Sequence, residues 1–115
     1  MSLIEKHPEI KESLIEVLGR VYANVKWRNV ARSKSAYDIF EHRLEVASYQ
    51  ESVYAMLKKL CNGLSLQASP IDVSDLEFLA KHDNIALGMI RECPQYFVYK
   101  ASQKSKMIKR GGLFN

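Results

Sequence analysis

Residues 94–110 read PQYFVYKASQKSKMIKR, and the fold of the chain turns on them. Tyr96-Phe97-Val98-Tyr99 is aromatic and β-branched, which favours a strand. Ser102-Gln103-Lys104-Ser105 is polar turn material, and Met107-Ile108 supplies a second short strand. Residues 96–108 then form a small β-hairpin. Alternation on its first strand puts Tyr96 and Val98 on one face and Phe97 and Tyr99 on the other. The competing reading is one more amphipathic helix from Pro94 to Arg110, with Tyr96, Tyr99, Gln103 and Met107 on one face. The hairpin is the leading reading, and an all-α helical bundle is the alternative.

Upstream of this stretch the periodicity is helical. His7-Pro8-Glu9 starts a helix, because proline suits the first turn and Glu9 and Glu12 favour the positive end of the dipole. Ile10, Leu14, Val17, Val21 and Val25 then repeat at helical spacing, and the pattern predicts a helix to about Ala31. Arg32-Ser33-Lys34-Ser35 is a break with a serine available as N-cap. A long helix from about Ser35 to Cys61 follows, with two apolar stripes, and Asn62-Gly63 ends it. Leu64-Ser65-Leu66 has room for a brief strand. Asp72-Val73-Ser74-Asp75 offers a cap for a short helix, His82-Asp83-Asn84 a turn, and residues from Ile85 to about Arg91 a second short helix. Cys93-Pro94 closes it.

The resulting order over residues 50–110 is helix, short strand, helix, turn, helix and hairpin. In that order the segment resembles a winged helix-turn-helix domain, with the local match in Leu79, Ala80, Asn84, Ile85, Ile90 and Cys93. The resemblance implies that Ala80 sits where two helices cross closely and that Asn84 takes the turn position usually held by glycine. It also implies that Ala86, Leu87, Gly88, Arg91 and Glu92 face a nucleic-acid groove. Of these only Arg91 is a strong reader of bases or phosphates, so the same surface could instead dock a protein. The expected organisation is a single domain over 1–115. It has an N-terminal helical part (8–49), a winged-helix-like part (50–110) and a mobile tail (111–115). The fold class is mainly α with a small β-hairpin.

Charge is segregated along the chain. The 115 residues carry 17 Lys plus Arg against 13 Asp plus Glu. From Val17 to Tyr37 there are five basic residues and no acid, and the same is true from Cys93 to Asn115. The remaining chain holds all thirteen acids against seven bases. Segregation of this kind creates local positive fields that suit anionic partners. The candidate contacts to nucleic acid are Lys26, Arg28, Arg32 and Lys34 in the first basic stretch, then Arg91. In the second stretch they are Lys100, Lys104, Lys106, Lys109 and Arg110. Lysines position a phosphate backbone without reading sequence. Lys26-Trp27-Arg28 flanks the single tryptophan with cations, although a lone tryptophan is more often a core anchor.

Other chemistries find little footing. His7, His42 and His82 are isolated in sequence, and Cys61 and Cys93 are far apart, so no metal-ligand spacing and no disulfide framework is indicated. The glycines form no phosphate-cradling loop, and no nucleophile–base set stands out. The longest charge-free run, Leu60 to Ile71, is broken by polar residues and Pro70, so no membrane span is expected, nor is a secretory signal visible. The expectation is a non-enzymatic, cofactor-free, cytoplasmic protein that binds DNA or RNA through basic patches. It would act as a transcriptional regulator or a small accessory subunit of a nucleoprotein complex, alone, as a homodimer or within a larger assembly. In size and charge the chain is similar to the small basic helical subunits of CRISPR surveillance complexes. The alternative is a helical assembly subunit that binds protein and not nucleic acid.

Overall fold

The computed structural model describes residues 2–25, 35–63 and 71–110, and their side chains as far as residue 108. Seven helices are found among these residues: α1 Leu3–Lys6, α2 Pro8–Asn24, α3 Ala36–Ala47, α4 Val53–Gly63, α5 Val73–Ala80, α6 Asp83–Glu92 and α7 Pro94–Arg110. The radius of gyration is 13.2 Å, against about 13 Å expected for one folded unit of this length.

The 94–110 stretch is helical, so the hairpin over 96–108 is absent and the all-α alternative fits. Local β-propensity lost to tertiary packing. Pro94 opens α7 at the position where its missing N–H matters least. From there Phe97, Val98, Ala101, Ser105 and Ile108 fall on one side and are buried, while Tyr99 and Met107 face solvent at 51% and 63% exposure. A hairpin could bury only alternate residues of so short a strand. A helix buries Phe97, Val98, Ala101 and Ile108 together on one face, because residues i, i+4 and i+8 line up along it. Helices α2 and α7 meet at Gly19, where an added methyl group would lie 2.6 Å from Lys104 Cγ and 2.7 Å from Lys104 Cβ. Gly19 therefore sets how closely α2 and α7 approach.

The core is continuous across these elements. Ile10, Leu14, Val17, Leu18 and Val21 of α2 join Phe40 and Leu44 of α3 and Met56, Leu57 and Leu60 of α4. Leu79 of α5 and Ala86, Leu87, Met89 and Ile90 of α6 complete it beside α7. Tyr22 and Phe40 meet as tilted rings 4.9 Å apart. Burial pushes the Tyr22 phenol above its ordinary range, against a smaller opposing effect of its hydrogen bond with Ser102.

The expected long helix from Ser35 to Cys61 is two helices. Ser35 caps α3 by accepting from the Asp38 N–H at 3.1 Å. After Ala47 the chain turns, and Ser52 Oγ accepts from the Ala55 N–H at 3.0 Å to start α4. The turn is held from outside: Asp83 Oδ1 accepts from the Val53 N–H at 2.8 Å, and Arg91 donates to two carbonyls of the turn. The break also splits one of the two expected apolar stripes, that of Val46, Tyr49, Val53, Met56 and Leu60. Val53, Met56 and Leu60 are buried, but Val46 and Tyr49 are exposed.

The helix-turn-helix expectation is corrected in its details as well. Asn84 lies inside α6, and Ala80 is exposed instead of lying at a close crossing. Ala86 and Leu87, read as facing a groove or a protein partner, are core residues at 0% and 2% exposure. Without a wing and with these residues inside, the winged-helix resemblance has no support in this fold. The first helix ends at Asn24, where Val25 is extended at φ −71° and ψ 139°, so Val25 does not continue the helical period as expected. The remainder of the expected extension, residues 26–31 with Trp27, lies outside the described residues, as do the strand at 64–66 and the 111–115 tail.

Candidate nucleic-acid interface

Of the ten basic residues singled out, Lys26, Arg28, Arg32 and Lys34 lie outside the described residues. Lys109 and Arg110 fall in the last turn of α7. The other four are placed, and their surroundings differ sharply.

Arg91 is engaged by the protein. Its Nε donates to the Ser48 carbonyl at 2.8 Å, and its guanidinium reaches the Gln50 carbonyl at 3.4 Å. The guanidinium also lies 5.1 Å from the centre of the Tyr49 ring. These contacts clamp the α3–α4 turn onto α6, so Arg91 acts as a strut. Arg91→Ala is expected to destabilise the fold by about 1–3 kcal/mol, because the carbonyl of buried Ser48 loses its partner. Arg91→Lys should recover little of this, since one ammonium cannot span both carbonyls. A urea titration checks the loss, and oligonucleotide affinity measured well below the midpoint should stay unchanged.

Lys104 is also engaged. Its Nζ is 2.6 Å from Glu16 Oε1, and its aliphatic stem covers Gly19. Paired with a carboxylate and anchored along its stem, it is less available to an anionic partner than its sequence neighbours are. Lys100 sits above Tyr96 with Nζ 5.8 Å from the ring centre, and Lys106 is exposed. The helix thus sorts its lysines: Lys104 turns toward α2, while Lys100 and Lys106 flank the solvent face.

The same solvent face holds further residues that are not among the ten basic candidates. Tyr96, Tyr99, Gln103 and Met107 recur at spacings of three and four, as the helical alternative requires. Gln103 Nε2 donates to the Tyr99 hydroxyl at 2.9 Å, which ties the two side chains together. Tyr96 meets Phe97 edge-on at 5.3 Å, so it is built into the surface of the core. No acid occurs anywhere on α7, and Glu16 is the one carboxylate recorded within ion-pair distance of a basic group of α7 among the described residues. The outcome is a basic and aromatic helix face about 17 Å long from Tyr96 to Met107 by the helical rise.

Elsewhere two clefts open on the surface. One, of about 350 Å³, lies between the start of α2 and α5–α6, lined by Lys6, His7, Ile10, Phe78, His82 and Ile85. The other, of about 330 Å³, lies between α4 and α5, lined by Tyr54, Leu57, Cys61, Ile71, Val73 and Leu76. Burial pushes the Cys61 thiol up, the wrong direction for an activated nucleophile. Among the described residues no three His, Cys, Asp or Glu side chains gather as a metal site would, and no helix is long and apolar enough to cross a membrane. No family model, no curated protein and no solved structure matches the chain.

Proposed function

We propose that this protein is a non-enzymatic nucleic-acid-binding protein whose contact surface is the solvent face of α7. The observation that carries the reading is the composition of that face: Lys100 and Lys106 beside exposed Tyr99, on a helix with no acid. Lysine ammonium groups on a rigid helix face contact phosphates without sequence preference, and release of counterions makes such binding fall steeply with salt. The role is that of an accessory subunit or regulator in the cytoplasm, where the two free cysteines are at home.

The test is binding of labelled oligonucleotides across a salt series. Lys100→Ala with Lys106→Ala should reduce the slope of log K against log salt by about 0.7–0.9 for each contact removed. Lys58→Ala with Lys59→Ala, on the opposite part of the chain in α4, is the control and should change little. Absence of binding at low salt, or binding that salt does not weaken, would sink the proposal.

A second reading rests on a different observation. The α4–α5 groove is apolar, and Tyr54 and Val73 on its rim are exposed at 58% and 69%. A helical assembly subunit would use such a groove to hold a partner protein, alone or as a dimer. Salt-insensitive association disrupted by Tyr54→Glu, with no oligonucleotide binding, would favour it.

A further inference from the structure

We infer that the α7 face takes single-stranded nucleic acid, with Tyr99 as the platform on which a base stacks. The inference rests on the reading of α7 as the contact surface and adds the class of ligand.

Duplex recognition needs side chains that reach base edges. A helix entering a major groove reads base edges with Arg, Lys, Asn or Gln. The α7 face presents instead Tyr99 and Met107, half or more exposed, on either side of Gln103. Gln103, the one amide there, spends a donor on the Tyr99 hydroxyl. In a duplex the faces of the bases are stacked inside, out of reach of a tyrosine ring. Only an unpaired strand presents them, and every base has such a face, so stacking tolerates sequence.

The geometry also selects which tyrosine serves. Tyr96 has Lys100 over its ring and Phe97 against its edge, so it is occupied. Tyr99 has a hydrogen bond at its hydroxyl from Gln103, which steadies the phenol while half its surface stays in solvent. Lys100 follows it directly, and Lys106 lies two turns further along the helix. Successive side chains on the face rise about 5 Å per turn, a step that an extended strand can follow with phosphates toward the lysines and bases toward Tyr99 and Met107.

The probe is fluorescein-labelled oligo(dT) of about 12 nucleotides, within the site sizes of single-strand binders, compared with a duplex of the same length. Oligo(dT) should bind the full chain at least tenfold more tightly than the duplex, by the order of magnitude that stacking supplies. Tyr99→Ala should weaken oligo(dT) binding by roughly tenfold and leave duplex binding unchanged, while Tyr99→Phe keeps the affinity. The thermal midpoint of Tyr99→Ala should match that of the parent, since the side chain is exposed. Equal or tighter duplex binding, or full oligo(dT) affinity in Tyr99→Ala, overturns the single-strand assignment while leaving a phosphate-binding surface intact. Failure to bind either probe at low salt overturns that underlying reading as well.

Discussion

Phe97→Ala is expected to destabilise the protein by about 3–5 kcal/mol, the range for deleting a buried phenylalanine, whereas Tyr99→Ala should fall within about 0.5 kcal/mol of the parent. Phe97 is fully buried, and Tyr99 is half exposed only two residues later. The contrast follows from helical geometry. Two residues on a helix differ by about 200° in direction, while on a strand they share a face. The hairpin reading would therefore give both substitutions similar costs. Urea titrations of the two variants measure the difference directly, and similar losses would contradict a helical α7.

Gly19→Leu should be nearly as damaging, at about 3 kcal/mol, the upper part of the range for overpacking a filled core. Gly19 is buried inside α2, and the atoms that a side chain would strike are Lys104 Cβ and Cγ. Those atoms lie close to the α7 backbone, so rotation of the lysine does not clear the space. Even Gly19→Ala should lose stability, although alanine in a helix interior gains about 1 kcal/mol over glycine. Lys104→Gly removes the obstructing atoms and should offset part of that loss. A double-mutant cycle on positions 19 and 104 is expected to give a coupling of about 1 kcal/mol or more. Additive losses would mean that the helices do not meet at this point.

Much of the candidate site is legible in the sequence. The acid-free run after Cys93 and the recurrence of Tyr96, Tyr99, Gln103 and Met107 are both visible as residues and spacings. Which lysines serve is not legible there. Lys100, Lys104 and Lys106 look alike in sequence, yet Glu16 on another helix takes Lys104 out of the set. Arg91 is the best reader by residue type, and it is held by carbonyls more than forty residues away. A side chain's availability depends on what the fold brings beside it, and no local pattern carries that information.

The sequence by itself determined the helical character of α2 to α6, the start of α2 at Pro8, a serine cap ahead of α3, the Asp72 cap of α5, and the location of positive charge. Those features rest on interactions within a few residues: backbone capping, the proline ring and the period of apolar positions. The tertiary structure decided that 94–110 is a helix, that the chain breaks between Ala47 and Val53, and that Ala86 and Leu87 are inside. Each of these depends on a partner distant in sequence: α2 for α7, Asp83 and Arg91 for the break, and the assembled core for α6. Burial of apolar surface outweighs local preference when the two disagree, because a full core face contributes several kcal/mol and strand propensity about one.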